Sequence, residues 1–127
     1  MGAGLAGLSC ALTLEKYGIK PTIFEKRSYV GDRFINCEIL MSILTSPIGD
    51  PLKYLKENYN IILQPRHKIK KISVFSEYHQ TTKYGDIGYT NLMGRTSNSF
   101  EKQLANQIQS KIHFNSKKTY EQLKKDF

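Results

Sequence analysis

The sequence predicts an α/β chain in which a turn–helix–strand unit is followed by an antiparallel β excursion. Three observations lead there. Glycines at positions 2, 4 and 7 stand directly ahead of a stretch of helical apolar period. A short apolar run over 22–25 ends in an acid, Glu25. Between 61 and 93 the apolar period shortens towards two, and from 98 it lengthens again.

Each element has its own signal. Leu5, Leu8, Ala11, Leu12 and Leu14 place one apolar face on the first helix, and Gly18 closes it. Pro21 suits the start of the strand that follows. Residues 26–36 are polar and contain Gly31, so a loop is predicted. Ile39, Leu40, Met41, Ile43 and Leu44 predict a short buried helix over 37–46. Asp50 ahead of Pro51 predicts the capped start of a helix running through Leu52, Tyr54 and Leu55. Ile72, Val74, Thr81, Lys83, Tyr89, Asn91 and Met93 predict two or three antiparallel strands. Asn98 with Glu101 three residues on resembles a capping box. The helix it opens would show Phe100, Leu104, Ala105 and Ile108 on one face. Residues 112–114 predict a short strand, and 119–127 a helix or a loop with one helical turn.

Composition bounds the function. With 127 residues the chain holds one domain or part of a larger one. An apolar share of 39% against 24% charged excludes disorder of the whole. No apolar run approaches the roughly 18 residues that span a membrane, and no secretion signal opens the chain. Two cysteines build neither a disulfide framework nor a four-ligand zinc site, so a reducing, cytoplasmic setting is expected. The net charge is +8, from 15 Lys and 4 Arg that are scattered along the chain. A nucleic-acid groove leans on Arg and interleaves aromatics, so a solvated Lys-rich surface is expected, with no specific nucleic-acid partner. The charge still attracts polyanions such as dinucleotide phosphates.

The chemistry lies at the glycines. Gly2-x-Gly4-x-x-Gly7 fits the dinucleotide-binding fingerprint. Gly2 allows the tight turn, Gly4 lets the backbone meet a diphosphate, and Gly7 lets the helix pack on the sheet. The helix start offers free N–H groups and a positive dipole end. Ala3, Leu5 and Ala6 belong to the same turn. Glu25 follows Gly7 by 18 residues, at the strand end where an acid hydrogen-bonds an adenosine ribose. The expected fold is therefore an incomplete Rossmann-like FAD/NAD(P)-binding domain over 1–127. It is incomplete because the fingerprint calls for a strand ahead of its first glycine, where this sequence has only Met1.

These residues resemble the N-terminus of flavin-dependent oxidoreductases of the glutathione-reductase type. The acid followed by Lys26 and Arg27, then Gly31-Asp32-Arg33, is similar to the geranylgeranyl-reductase-like and aromatic-hydroxylase-like branch. The segment from Gly94-Arg95 to Leu104 is similar to the Arg and helix that follow the antiparallel excursion there. The resemblance implies FAD as cofactor, with NAD(P)H as a possible electron donor. It implies that Glu25 binds the ribose of the FAD adenosine, that Lys26 and Arg33 lie near the cofactor, and that Arg95 approaches the flavin side. It also implies a further strand and an Ala-Thr-Gly turn beyond Phe127, and a small-molecule substrate site outside the chain. The parent would be an FAD-dependent oxidoreductase and this chain alone inactive. An NAD(P)-binding segment, and a non-catalytic remnant or basic binding module, are the alternatives.

Other residues read as structural. Cys10 is expected to pack on its helix, and Cys37 to be a buried thiol. His67, His79 and His113 show no ligand spacing and are expected at the surface. Asp32 and Glu38 have no partner that suggests acid–base work. Met41 and Met93 are expected in the core, and Tyr54, Tyr59, Tyr78, Tyr84 and Tyr89 as half-buried rims.

Overall fold

A parallel strand pair and a three-stranded antiparallel sheet frame the chain. The computed structural model describes residues 2–34 and 36–126. Met1, Ile35 and Phe127, the last closing the final element expected from the sequence, lie outside them. The order is α1 (Leu5–Lys16), β1 (Ile23–Phe24), β2 (Cys37–Ser42), α2 (Pro51–Tyr59), β3 (His67–Phe75), β4 (Gln80–Met93), α3 (Phe100–Gln107), β5 (Ile112–His113) and α4 (Tyr120–Asp126). β1 pairs in parallel with β5, and β2-β4-β3 form the antiparallel sheet. This is the α/β, Rossmann-like arrangement with an antiparallel excursion that the sequence predicts. No helix among the described residues is long and apolar enough to cross a membrane.

The core forms where α1 meets α3 and β1. Leu8 and Ala11 of α1, Ile23 of β1, Val30, Ile61 and Leu104 of α3 are buried together. Truncating a side chain such as Leu8 to alanine costs about 2–5 kcal/mol at sites of this kind. After Lys16 the chain turns through Gly18 at φ 76°, where the N–H of Gly18 bonds Glu15 O and that of Ile19 bonds Leu14 O. That satisfies the last carbonyls of α1. The Glu15 carboxylate then accepts from the N–H groups of Gln109 and Ser110, tying the end of α1 to the loop ahead of β5.

The stretch 37–46 is not a helix. Cys37–Ser42 is a strand paired in register with Gly88–Met93 of β4, from Cys37 opposite Met93 to Ser42 opposite Gly88. A short apolar run has no period that separates strand from helix, and here the ladder decides. The region 61–93 holds two strands, β3 and β4, and β2 supplies the third of the sheet. The next helix is capped by Ser99, one residue after the expected Asn98; its hydroxyl accepts from Lys102 N at 3.3 Å. Glu101 does not close a capping box but turns towards Gly94.

Several side chains differ from expectation. Cys10 is exposed, because the apolar stripe of α1 runs through Leu8 and Ala11. Cys37 is half-buried, and so is Met41, whereas Met93 is core. His113 is also half-buried, its ring 5.3 Å from that of Phe24. Tyr59 is exposed, Tyr78 and Tyr84 stand in solvent on the distal hairpin, and Tyr89 is buried. Asp32 is ion-paired with Arg95, and Glu38 with Arg66 at 2.8 Å, and neither arginine is an acid–base partner.

Asp50 joins α2 to the sheet. Its Oδ1 accepts from Leu52 N and Lys53 N at 3.0 and 3.2 Å, and its Oδ2 accepts from the Tyr89 hydroxyl at 2.5 Å. Burial alone would raise the Asp50 pKa, but the Tyr89 hydroxyl and the two N–H donors outweigh it and hold the carboxyl below its ordinary value. The same contact pushes the Tyr89 phenol up to about 12. A depressed carboxyl stabilises the fold above its unfolded pKa of about 4, and the contribution is lost as pH falls through the folded value. Asp50→Ala is expected to cost about 1–2 kcal/mol at neutral pH. Urea unfolding at pH 7 and pH 3 checks this: the gap between parent and variant should narrow at the lower pH.

Candidate functional site

The turn before α1 is built by contact. Gly7 lies in the first turn of the helix, and a Cβ on it would run into the carbonyl oxygen of Gly2. The chain closes this tightly only because a hydrogen stands there. Gly4 differs: a Cβ on it would meet nothing within 4 Å. Its backbone is extended at φ −91°, ψ 177°, which any residue adopts, so neither packing nor strain demands glycine at this position. Leu5 begins α1 with no side-chain cap and no acid in the first turn. The helix start therefore has no side-chain cap, and no acid of α1 itself offsets the positive end of the dipole.

Glu25 fastens this turn to the parallel strands. Beyond β1 the pairing continues, with Glu25 N bonding His113 O and Ser116 N bonding Glu25 O, both at 2.8 Å. That fixes the backbone from which the carboxylate reaches back. Oε2 accepts from Ala3 N at 2.9 Å, and Oε1 from Arg27 N at 3.0 Å. Each oxygen keeps acceptor capacity for a further donor.

A cleft of about 820 Å³ opens over these residues. Gly2, Ala3, Gly4, Leu5, Ala6 and Gly7 line it, and so do Glu25, Lys26 and Arg33. Arg95 stands apart, in a neighbouring hollow with Asp32, Phe34 and Asn36. Its guanidinium pairs with Asp32 and lies 5.2 Å from the centre of the Tyr29 ring. Nine of the ten residues singled out from sequence thus share one cavity.

The sequence reading missed part of the wall. Tyr29, Gly31, Asp32, Met93 and Glu101 also line the cleft. Met93 reaches it from the end of β4, where pairing with Cys37 holds it. A Cβ on Gly31 would strike the carbonyl of Gly94, so the loop after β1 and the turn after β4 meet backbone to backbone. Glu101 carried a signal: it shares the face of Leu104, Ala105 and Ile108, where an acid is out of place. Burial pushes its carboxyl up, and its own backbone N–H and the Gly94 N–H, 3.4 Å from Oε2, offset this only in part. Among the described residues no three His, Cys, Asp or Glu side chains gather as metal ligands.

The cleft brings together N–H groups at a helix start, an open glycine and a carboxylate fixed beside them. Residues 1–38 are similar to the NAD(P)-binding Rossmann-like domain family. The match spans the glycine turn, α1, β1 with Glu25, and the loop into β2. No curated protein matches the chain.

The two glycines should separate on substitution. Gly7→Ala is expected to lower the unfolding free energy by about 1–3 kcal/mol, through overpacking against the Gly2 carbonyl. Gly4→Ala should cost less, about 1 kcal/mol or under, because Gly4 is the N-cap of α1 and alanine is a poorer cap than glycine. Denaturant unfolding of both variants measures the difference, and equal losses would exclude the contact as the reason for glycine at 7.

Proposed function

We propose that this chain is the FAD-binding segment of a flavin-dependent oxidoreductase, taking the ADP half of the cofactor at the glycine turn and Glu25. The observation that carries the reading is the bond from Ala3 N to Glu25 Oε2, which brings the diphosphate and ribose features to one cleft. The diphosphate would lie against the start of α1, where Gly4 leaves room for it. The ribose hydroxyls would donate to the remaining acceptor capacity of Glu25. Lys26 and Arg33 would supply positive charge along the cleft wall, with Arg95 outside it.

The preference for FAD rests on the resemblance to the glutathione-reductase type, and the topology supports it. The antiparallel sheet β2-β4-β3 is inserted between the parallel partners β1 and β5, with Gly94-Arg95 and α3 following it. Bound flavin would supply electron transfer, and the chain would supply binding, orientation and electrostatics. A second reading, an NAD(P)-binding segment, is favoured by the family whose model matches residues 1–38. The two share their ADP half, so they differ only in what lies beyond the diphosphate.

Gly4→Val tests the site. The valine side chain would occupy the space left for the diphosphate, and the affinities for FAD and ADP should each fall about tenfold or more, while the fold is kept. Titration of parent and variant, followed by flavin fluorescence and by calorimetry, reads this out. A variant that binds FAD as tightly as the parent overturns the reading. A parent that binds NADP⁺ or NAD⁺ but not FAD selects the second one.

A further inference from the structure

Glu101 is an acid held where acids are costly. It sits in the first turn of α3, only 1% exposed, between the buried Phe100 and the turn that carries Leu104. One oxygen has a weak partner: Oε2 accepts from Gly94 N at 3.4 Å. The other, Oε1, is buried and has no hydrogen-bond partner among the described residues. Arg95 follows Gly94 directly, yet its guanidinium is committed to Asp32 and to the Tyr29 ring. Buried polar atoms in folded proteins are nearly always satisfied, by protein or by ordered water; among the described residues six buried side-chain atoms have no protein partner, and Glu101 Oε1 is the one whose residue lines the cleft.

Its place says which kind. Glu101 lines the same cleft as the glycine turn, but it is fastened to a different part of the chain. Glu25 is held by Ala3 N and Arg27 N. Glu101 is held by Gly94, whose carbonyl lies against Gly31. With the ADP half at the glycine turn and Glu25, Glu101 is left to the half beyond the diphosphate. Phosphate oxygens carry negative charge and only accept, so they repel the carboxylate and could pair only with its acid form. A hydroxyl suits it in either state, because it donates to a carboxylate and accepts from a carboxylic acid.

We infer that Glu101 is a further binding residue of this site, whose Oε1 exchanges a hydrogen bond with a sugar or polyol hydroxyl beyond the diphosphate of a bound dinucleotide. This rests on the dinucleotide reading above. The hydroxyl belongs to the ribityl chain if the ligand is FAD and to the nicotinamide ribose if it is NAD⁺. ADP has neither, which makes it the internal control.

The experiment is calorimetric titration of the whole chain and of Glu101→Leu with FAD, NAD⁺ and ADP. The expected result is an affinity loss of about tenfold or more for whichever dinucleotide the parent binds, with ADP affinity within about twofold of the parent. A purely structural role would move both ligands together or move neither, and either result overturns the inference. Should Glu101→Leu fail to fold, Glu101→Gln keeps the shape and replaces a carboxyl oxygen by an amide. The ratio of dinucleotide to ADP affinity should then fall about threefold or more; an unchanged ratio overturns the inference. A parent that binds ADP but no dinucleotide also overturns it while leaving the ADP site intact. A parent that binds none of the three overturns both readings.

Discussion

The close approach of Gly7 to the carbonyl of Gly2 governs how α1 leaves the turn, and the rest of the molecule is arranged around that helix. Because no side chain separates the two backbones, the helix starts hard against the turn and its first N–H groups open into the cleft. Leu8 and Ala11 then face β1 and α3 and make the core. A wider turn would move the apolar stripe and the cleft-lining start of the helix together, since both belong to one rigid element. Core packing and site geometry are in this sense one constraint.

Carboxylates fasten the pieces. Glu25 joins β1 to the turn, Glu15 joins the end of α1 to the approach of β5, and Asp50 joins α2 to β4. Glu15 and Asp50 carry lowered pKa values although burial opposes the shift, because N–H and O–H donors aimed at the charged form outweigh it. Charge-assisted bonds of this kind are the strong ones, and they link elements separated by as many as 95 positions. Glu101 is the exception. It is the most buried of the four, its pKa is raised, and one of its oxygens has no partner among the described residues.

The antiparallel excursion has two ends of different character. Near β2 it is packed, and it delivers Met93 and Gly94 to the cleft wall. Past the irregularity between Ile69 and Lys71 the hairpin of β3 and β4 runs on without a third strand, so Val74, Phe75 and Tyr84 are exposed. The cleft depends on the first end alone.

What the sequence by itself determined is whatever a few neighbouring residues decide. The glycine turn, α1 with its stop at Gly18, Asp50 capping α2 at Pro51, and Glu25 at the end of β1 all follow from backbone freedom, capping chemistry and a 3.6-residue period. Only the tertiary structure decided that 37–42 is a strand, since its apolar run lacks a diagnostic period and its hydrogen bonds go to residues about fifty positions away. The same holds for Cys10, which faces solvent because one face of α1 suffices for the core, and for Arg95, which pairs with Asp32 and Tyr29 of the cleft lining without lining the cleft itself. Glu101 shows the division most clearly. Its sequence context fits a helix cap, yet the contact between Gly31 and Gly94 makes it a cleft wall, and no local pattern encodes a contact between backbones 63 residues apart.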